Sequence, residues 1–327
     1  FTPSKHLAYN GAAEVLTMED LGLPKDSGIS PIAVSQPFKL FSEDAVHEMR
    51  REIFKPEVME NCKYSSNIAA CQLRGYAPKY APFTYDAWTH PDTLRIISSI
   101  AGVDLVPVMD FEVAHVNFSV KSEAQTKQEL DTIHSKRGRP WEDDKPVVGW
   151  HRDSYPFVCV LMLSDCTNMV GGETAIKTGD GSVMKVRGPT MGCAAILQGR
   201  YITHQALRAL GAQERITAVT SFRPRDPFTR DDTVLNTVRP ISDLSVLYQE
   251  FAEYRLAMME ERVRAQLKEV RERRRAGKKF DTRGVKRFLA EQTRFLEHMN
   301  SEMVQDEEVK VGWIEEVDLP DCVVGEE

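Results

Sequence analysis

Three residues of the chain have the types and spacing of a metal site: His151, Asp153 and His204. Alternate side chains of an extended segment point to the same side, so His151 and Asp153 can reach one ion from a short piece of backbone. His204 lies fifty-one residues after Asp153 and would come from a neighbouring strand. Two imidazoles and one carboxylate leave ligand positions open, which favours non-heme iron(II), whereas zinc usually takes a more closed tetrahedral site.

A second His-x-Asp sequence, His90-Pro91-Asp92, has a structural explanation. Proline suits the first position of a helix, and an acidic residue there suits the positive end of the helix dipole. We therefore predict that this sequence starts a helix and binds no metal.

Short strand-like segments surround the predicted ligands. They are Val106–Val120, Val147–Trp150, Phe157–Leu163, Glu173–Lys177, Val183–Val186, Cys193–Leu197 and Ile216–Phe222. Many short strands separated by glycine-containing turns indicate a β-sandwich or barrel. The prediction is an α+β fold: a double-stranded β-helix (jelly roll) core with flanking N-terminal helices and a C-terminal helical extension.

The chain divides into four regions by its pattern of residues. Residues 1–105 are predicted to form an N-terminal helical and loop region that packs on the core, and 106–240 the jelly-roll catalytic core. Within the core, a polar insert at 122–135 favours a helix, and 136–145, rich in charge, Gly and Pro, favours a loop. Apolar residues at helical spacing predict a helical hairpin over 241–305, followed by an acidic tail at 306–327.

The predicted hairpin carries a basic segment, Arg262–Arg287, with twelve Lys and Arg residues against three acidic ones. The simpler interpretation is a solvated helical hairpin that turns near Gly277. The alternative is a contact surface for an acidic partner or nucleic acid. A third possibility is that the C-terminal helices form a homodimer and the basic segment is its solvated edge.

Composition narrows the class of protein. Hydrophobic residues make up 42% and charged residues 28% of 327 residues, as in a soluble globular protein. A net charge of −7 argues against a general nucleic-acid binder, and no apolar stretch is long enough to cross a bilayer. The six cysteines form no CxxC pair and suit a reducing compartment. With no signal peptide evident, we expect a cytoplasmic enzyme.

The order and spacing of these motifs resemble the iron(II)- and 2-oxoglutarate-dependent dioxygenase superfamily. His151-x-Asp153 and His204 are followed by Arg215, eleven residues after the last histidine, and by Thr217. The turn 171–174, Gly-Gly-Glu-Thr, resembles the GGET turn of the prolyl-hydroxylase-like branch. The resemblance covers roughly residues 106–224, and the whole chain is similar to fungal members of the superfamily.

The resemblance implies a set of cofactors and their ligands. Iron(II) would be held by His151, Asp153 and His204, with O2 and the cosubstrate 2-oxoglutarate completing the reaction. Arg215 and Thr217 would bind the distal carboxylate of 2-oxoglutarate, since they share one face of a strand and arginine fits a carboxylate bidentately. Asn117 is the candidate for binding the other end of 2-oxoglutarate, its near carboxylate or keto group. The alternative is that Asn117 makes a hydrogen bond within the core or across the strands. An aspartate at position 153 resembles a hydroxylase more than a halogenase.

The implied activity is hydroxylation, or desaturation, of a C–H bond of a small-molecule substrate with release of succinate and CO2. The candidates for substrate contacts are Arg152, Tyr155, Gln205, Arg74 and Tyr76. Two other functions are open: an oxidative demethylase of nucleic acid or protein that docks through residues 262–287, and a non-catalytic metal-binding jelly roll. A mere metal sensor would not need a carboxylate-binding pair such as Arg215 and Thr217.

Overall fold

The protein is described here from a computed structural model. The structure describes residues 1–11, 13–67, 69–135, 148–167, 169–188 and 190–314, with only the backbone for 132–135. The predicted loop at 136–145 and residues 315–327 of the predicted acidic tail lie outside the described residues.

Strands β1 to β16 follow one another along the described chain. In order they are Val15–Thr17, Ile32–Ser35, Phe38–Lys39, Lys63–Tyr64, Gln72–Leu73, Leu105–Pro107, His115–Val120, Val148–His151, Phe157–Met162, Val170–Gly171, Thr174–Lys177, Val183–Val186, Cys193–Leu197, His204–Ala206, Ala209–Leu210 and Glu214–Pro224.

Helices α1 to α9 lie mostly before and after the region of the longer strands. In order they are Pro3–His6, Glu43–Ile53, Pro56–Asn61, Ala77–Tyr80, Pro82–Thr89, Pro91–Ala101, Glu123–Ser135, Leu244–Arg275 and Thr282–Glu302. Helix α6 begins as predicted: Pro91 is its first residue, and the His90 side chain accepts a hydrogen bond from the Asp92 amide. Helix α7 confirms the predicted helical insert within the core region.

The strands form two antiparallel sheets and a short two-stranded ribbon, β10–β15. The main sheet has the order β1-β2-β13-β9-β16-β7-β5-β4, with β3 beside β13 and β6 beside β16. The four-stranded sheet has the order β12-β11-β14-β8. Neighbours in both sheets are mostly distant in sequence, so long-range pairing rather than local hairpins builds this fold.

The two faces of the main sheet pack against different layers. On β16, Ile216 and Ala218 belong to the large core cluster that also contains residues of the N-terminal helices. Val219 instead packs with a second cluster that includes Ile176, a residue of β11 in the four-stranded sheet. We call the first face of the main sheet its outer face and the second its inner face, which is turned towards the four-stranded sheet.

The N-terminal region contributes strands as well as helices. Strands β1 to β5 all lie within residues 15–73 and join the main sheet at both of its ends. They are two to four residues long, too short to show a clear alternation of apolar and polar residues, so their sequence did not predict them.

The C-terminal helices pack on the core through one face. Leu247, Phe251 and Met258 of α8 and Met299 of α9 are buried in a third cluster. The Asp243 side chain accepts hydrogen bonds from two amides of the first turn of α8, which fixes where that helix begins. Part of the basic segment is engaged by its own chain, since Arg262 stacks over the Phe295 ring and donates to the Pro227 carbonyl.

Antiparallel sheets combined with helices confirm the mixed helix-and-strand class predicted from the sequence. Among the described residues, no helix has the length and apolar character needed to cross a membrane.

Candidate metal centre

The two histidines of the predicted triad are cross-strand neighbours. His151 ends β8 and His204 begins β14, and the two residues are paired directly in the antiparallel four-stranded sheet. Their ring centroids are 4.3 Å apart. His204 is also paired with Ile176, which packs towards the main sheet. Because directly paired residues share a face, both imidazoles lie on the side of the sheet that is turned to the main sheet.

Asp153 completes the cluster from the segment that follows β8. Its Oδ1 atom lies 3.5 Å from His151 Nε2 and 3.6 Å from His204 Nε2. Its amide donates to the Gly199 carbonyl at 2.9 Å, which anchors this segment to the turn before β14. One possible ligand atom from each of the three residues lies within 4.8 Å of the others. The structure therefore brings together the three residues that the sequence singled out.

Backbone carbonyls orient both imidazoles. His151 Nδ1 is 2.8 Å from the Gly149 carbonyl oxygen, and His204 Nδ1 is 3.0 Å from that of Ile202. A carbonyl oxygen only accepts, so each Nδ1 carries the proton and each Nε2 keeps a lone pair in the neutral ring. Metal-binding histidines are commonly held in this way by their second ring nitrogen.

Burial and mutual attraction set the charge of the cluster. Burial lowers the pKa of His204, and Asp153 only partly opposes this. Burial also works against the charged form of His151, but the adjacent Asp153 carboxylate outweighs it and raises the pKa of His151. The pKa of Asp153 is lowered because the attraction of the histidines exceeds the effect of burial. The cluster thus offers an ionised carboxylate beside imidazole nitrogens, the donor set of a divalent cation.

The second carboxylate oxygen of Asp153 supports the same conclusion. Asp153 Oδ2 is buried and has no hydrogen-bond partner among the described residues. An unpaired buried carboxylate oxygen is costly unless a cation or a donor meets it. A Cβ atom at position 199 would lie 1.7 Å from Oδ2, so only glycine leaves room for this carboxylate. The donor set therefore fits a metal ion.

This close approach leads to a prediction for Gly199→Ala. The added methyl group must push the Asp153 carboxylate away from the histidines, so we expect iron(II) affinity to fall about 10- to 100-fold, the range seen when ligand orientation is lost. Gly284→Ala is the matched control, because its Cβ would meet the Asp281 carboxylate at the start of α9. Anaerobic calorimetry should show weaker iron binding for the first variant only; equal affinities would contradict this role of Gly199.

Arg215 and Thr217 lie on the face of the main sheet that is turned towards the sheet of the two histidines. Both are on β16 and alternate with the outer-face residues Ile216 and Ala218, so they share the inner face with Val219. Thr217 is buried. The Arg215 guanidinium has no ion pair among the described residues, its Nε is buried without a partner, and burial lowers its pKa.

The Gly-Gly turn predicted from the sequence lies beside this arginine. Gly171 and Gly172 have φ values of +88° and +79°, which side chains rarely tolerate. A Cβ at Gly172 would lie 3.7 Å from Arg215 Nε. The turn thus lies next to a cation that has no anionic partner among the residues that the structure describes.

Asn117 also lies on the inner face, paired directly with Thr217 and with Gln72. Its amide contacts Gln72 at 2.9 Å. Gln72 in turn contacts His115 at 3.2 Å, and the second nitrogen of His115 is 3.1 Å from Arg74. We call Arg74, His115, Gln72 and Asn117 the amide–histidine network. Sequence reasoning missed Gln72, because nothing in its two-residue strand distinguishes it from an ordinary surface glutamine.

Two of the predicted substrate residues, Arg74 and Tyr155, are buried in polar contacts with Glu112. The Arg74 guanidinium forms an ion pair with the Glu112 carboxylate, and the Tyr155 hydroxyl donates to the same carboxylate at 2.9 Å. Burial next to this carboxylate raises the pKa of Tyr155 well above its ordinary value. Both side chains are therefore held by protein partners. Glu112, which the sequence did not single out, connects the segment after Asp153 to the amide–histidine network.

The other predicted substrate residues are not brought to the triad. Arg152 is exposed, and its Nε donates to the Thr203 hydroxyl at 3.3 Å. Gln205 alternates with His204 on β14, so its side chain lies on the opposite face of the four-stranded sheet. Tyr76 is fully buried in the outer-face cluster. Arg152 is thus exposed, strand alternation turns Gln205 away, and Tyr76 is buried behind the main sheet.

The chain has a weak similarity to several solved structures. Comparison with protein-family models finds no match, and comparison with curated proteins finds none. Among solved structures, a prolyl-4-hydroxylase from Pseudomonas putida is 16% identical, with 64% of this chain and 97% of that chain covered and a TM-score of 0.38. An oxidoreductase of the 2OG-Fe(II) oxygenase family from Burkholderia pseudomallei is 14% identical over 54% of this chain and 74% of that one, with a TM-score of 0.34.

A third solved structure is the non-heme alpha ketoglutarate dependent epimerase SnoN from nogalamycin biosynthesis. It is 14% identical, covers 64% of this chain and 83% of its own, and has a TM-score of 0.41. At TM-scores below 0.5 and identities of 16% or less, these similarities assign neither a family nor an activity to this chain. The predicted similarity to fungal members is not tested by these comparisons and stays a prediction.

Proposed function

We propose that this protein is an iron(II)- and 2-oxoglutarate-dependent oxygenase that hydroxylates or desaturates a C–H bond of a small-molecule substrate, releasing succinate and CO2. The combination of a metal-binding cluster with a cation on the opposing face supports this proposal. His151, Asp153 and His204 present convergent ligand atoms, and the opposing inner face carries Arg215, a half-buried cation with no acidic partner among the described residues. A protein that only binds a metal ion needs the convergent ligand atoms but not a cation such as Arg215 on the opposing face.

The proposal includes the architecture around the site. The main sheet and the four-stranded sheet would be the two halves of a double-stranded β-helix (jelly roll), with the reaction in the space between them. The division into regions 1–105, 106–240, 241–305 and 306–327 is part of the same proposal, with 106–240 as the catalytic core.

In this mechanism the triad holds the metal and keeps positions open. Iron(II) would bind His151 Nε2, His204 Nε2 and the Asp153 carboxylate, and Asp153 would offset part of its charge. When bound, iron and 2-oxoglutarate supply O2 activation coupled to oxidative decarboxylation. The carbonyls of Gly149 and Ile202 keep both rings in the tautomer that offers Nε2, so the ligands need no rearrangement when the metal arrives.

Arg215 and Thr217 would hold the distal carboxylate of 2-oxoglutarate. A guanidinium pairs with a carboxylate through two parallel hydrogen bonds, and the Thr217 hydroxyl, on the same strand face, can donate a third. Since both side chains face the triad across the space between the sheets, they would orient the keto end towards the metal. The apolar side chains of Val160, Ile176 and Val219 pack in the same layer and limit the access of water.

The test of this proposal is the conversion of 2-oxoglutarate to succinate. The iron-loaded protein should form succinate slowly even without substrate, and Asp153→Ala should abolish this activity because the only anionic ligand is lost. The Tm of the variant should stay close to that of the unaltered protein, since Asp153 lies beyond the end of β8 and outside the apolar clusters. If the unaltered protein with iron never consumes 2-oxoglutarate, the oxygenase proposal fails.

The alternative functions stay predictions. A demethylase that docks through residues 262–287 should bind nucleic acid with a strong salt dependence, but part of that segment is neutralised locally, as in the Arg264–Glu260 and Lys268–Glu272 pairs. A homodimer through the C-terminal helices, a cytoplasmic location and a non-catalytic metal-binding role likewise stay predictions.

A further inference from the structure

The amide–histidine network contains a conflict between donors and acceptors that half turns of two amide groups, those of Gln72 and Asn117, resolve. As placed, His115 Nδ1 faces an Arg74 nitrogen at 3.1 Å, and His115 Nε2 faces the Gln72 amide nitrogen at 3.2 Å. Both of these neighbours are donors, so His115 would have to accept at both ring nitrogens. A neutral imidazole has one acceptor and one donor, and a protonated one has no acceptor.

Arg74 decides which nitrogen of His115 accepts. A guanidinium has only donors and keeps its charge in proteins, so its hydrogen bond requires a bare Nδ1 on His115. The Arg74 side chain is fixed in position, because it is buried and also forms the ion pair with Glu112. Burial, with the charge of Arg74 beside it, holds the pKa of His115 well below its ordinary value, so the ring is neutral. The proton of His115 is therefore on Nε2, facing Gln72.

The proton on His115 Nε2 needs an acceptor, and the Gln72 carbonyl oxygen supplies one when it takes the place of the amide nitrogen 3.2 Å away. The oxygen and nitrogen of an amide exchange places by a half turn of the terminal group at almost no change of shape. With Gln72 turned, its oxygen faces both His115 Nε2 and the atom of Asn117 that lies 2.9 Å away. That atom must then be the Asn117 nitrogen, so Asn117 turns as well, and every contact of the network has one donor and one acceptor.

The remaining amide atom of Gln72 does not affect this conclusion. It is buried, and as an oxygen it has no donor among the described residues, so the orientation with the oxygen at this place gains no hydrogen bond from it. The remaining amide atom of Asn117, in contrast, belongs to a partly exposed side chain on the inner face, beside Thr217.

We infer that Asn117 presents its carbonyl oxygen, not its amide nitrogen, to the space between the sheets. The residue is then a specificity determinant that accepts a hydrogen bond from a hydroxyl or ammonium group of the substrate, and it does not donate to a carboxylate of 2-oxoglutarate. This differs from the role in cosubstrate binding expected from the sequence. The substrate class rests on the proposed function, whereas the orientation of the network does not.

The orientation is tested without metal or substrate by NMR of the full chain labelled with 15N-histidine. Long-range 1H–15N correlations show which ring nitrogen carries the proton, and the His115 signals are assigned by their loss in His115→Gln. The expected result is a neutral ring protonated at Nε2. A neutral ring protonated at Nδ1, or an imidazolium, would overturn the inference.

Two isosteric substitutions of equal charge give an independent test. Gln72→Glu keeps an oxygen that can accept both hydrogen bonds of the inferred network, whereas Asn117→Asp removes the donor to Gln72. We therefore expect Asn117→Asp to lower the Tm by several degrees more than Gln72→Glu. Gln72 is the more buried of the two residues, so burial of a carboxylate by itself would give the opposite ranking. The opposite ranking, or equal melting temperatures, would count against the inferred orientation.

Titration of 2-oxoglutarate onto the Mn(II)-loaded protein tests the functional part. Asn117→Ala should change the 2-oxoglutarate Kd less than threefold, and a rise of tenfold or more would show that Asn117 binds the cosubstrate. If the unaltered protein does not bind 2-oxoglutarate at all, the proposed function fails, while the NMR and melting results still decide the orientation of Asn117.

Discussion

Replacement of His204 by alanine should lower iron(II) affinity by more than about 100-fold, beyond the loss typical of outer-sphere partners. The imidazole supplies one of three protein ligands, and its Nε2 is 3.6 Å from Asp153 Oδ1 across the cluster. No other His, Cys, Asp or Glu of the described residues clusters with these ligands. Anaerobic isothermal titration with iron(II) measures the effect directly, and His151→Ala should give a similar loss.

The control for this experiment is His90→Ala, in the other His-x-Asp sequence. His90 caps helix α6 by accepting from the Asp92 amide, so its loss should cost about 1 kcal/mol of stability and leave iron binding intact. Iron affinity close to that of the unaltered protein in His204→Ala would show that the triad assignment is wrong.

Replacement of Arg215 by methionine should raise the KM for 2-oxoglutarate about 30-fold or more, with iron binding retained. Loss of one partner of a charge-assisted pair in a partly buried pocket typically costs about 2–5 kcal/mol. Methionine keeps much of the volume of the side chain and removes its charge, so the Gly171-Gly172 turn and the neighbouring strands should stay in place. Steady-state succinate formation gives the KM, and calorimetry with iron(II) checks the metal site.

Two other arginines provide matched controls for Arg215→Met. Arg208 is half exposed and pairs with Glu129, and Arg223 lies nearer the other end of β16, stacked over the Tyr254 ring at 4.8 Å. Arg208 lies outside β16, and Arg223 shares the inner face of β16 but lies eight residues from Arg215, so Arg208→Met and Arg223→Met should leave the KM near that of the unaltered protein. A normal KM in Arg215→Met together with a raised KM in Arg223→Met would place the cosubstrate at the other end of the strand.

Most of the metal site follows from the sequence because its geometry is local. Residues two apart in an extended segment share a side, which relates His151 to Asp153 and Arg215 to Thr217 without any tertiary information. The separation of His204 from this segment matches a neighbouring strand, and the structure pairs the two histidines directly. The role of His90 at a helix start was equally local, since Pro91 and Asp92 define it.

The substrate residues were harder to predict because adjacency in sequence does not give the direction of a side chain. Arg152 and Gln205 are next to metal ligands, and strand alternation turns the side chain of Gln205 away from them. Tyr76 is near Arg74 along the chain, yet it is buried behind the main sheet while Arg74 reaches Glu112.

The sequence by itself determined which three residues could form a metal centre and the mixed helix-and-strand class, since these depend on residue type and short-range periodicity. Only the tertiary structure decided what supports the site. Gln72 meets Asn117 across 45 positions of sequence, and Gly199 makes room for Asp153 from a separate turn. Such contacts arise when long-range strand pairing closes the main sheet, and no local pattern encodes which distant side chain will become the hydrogen-bond partner.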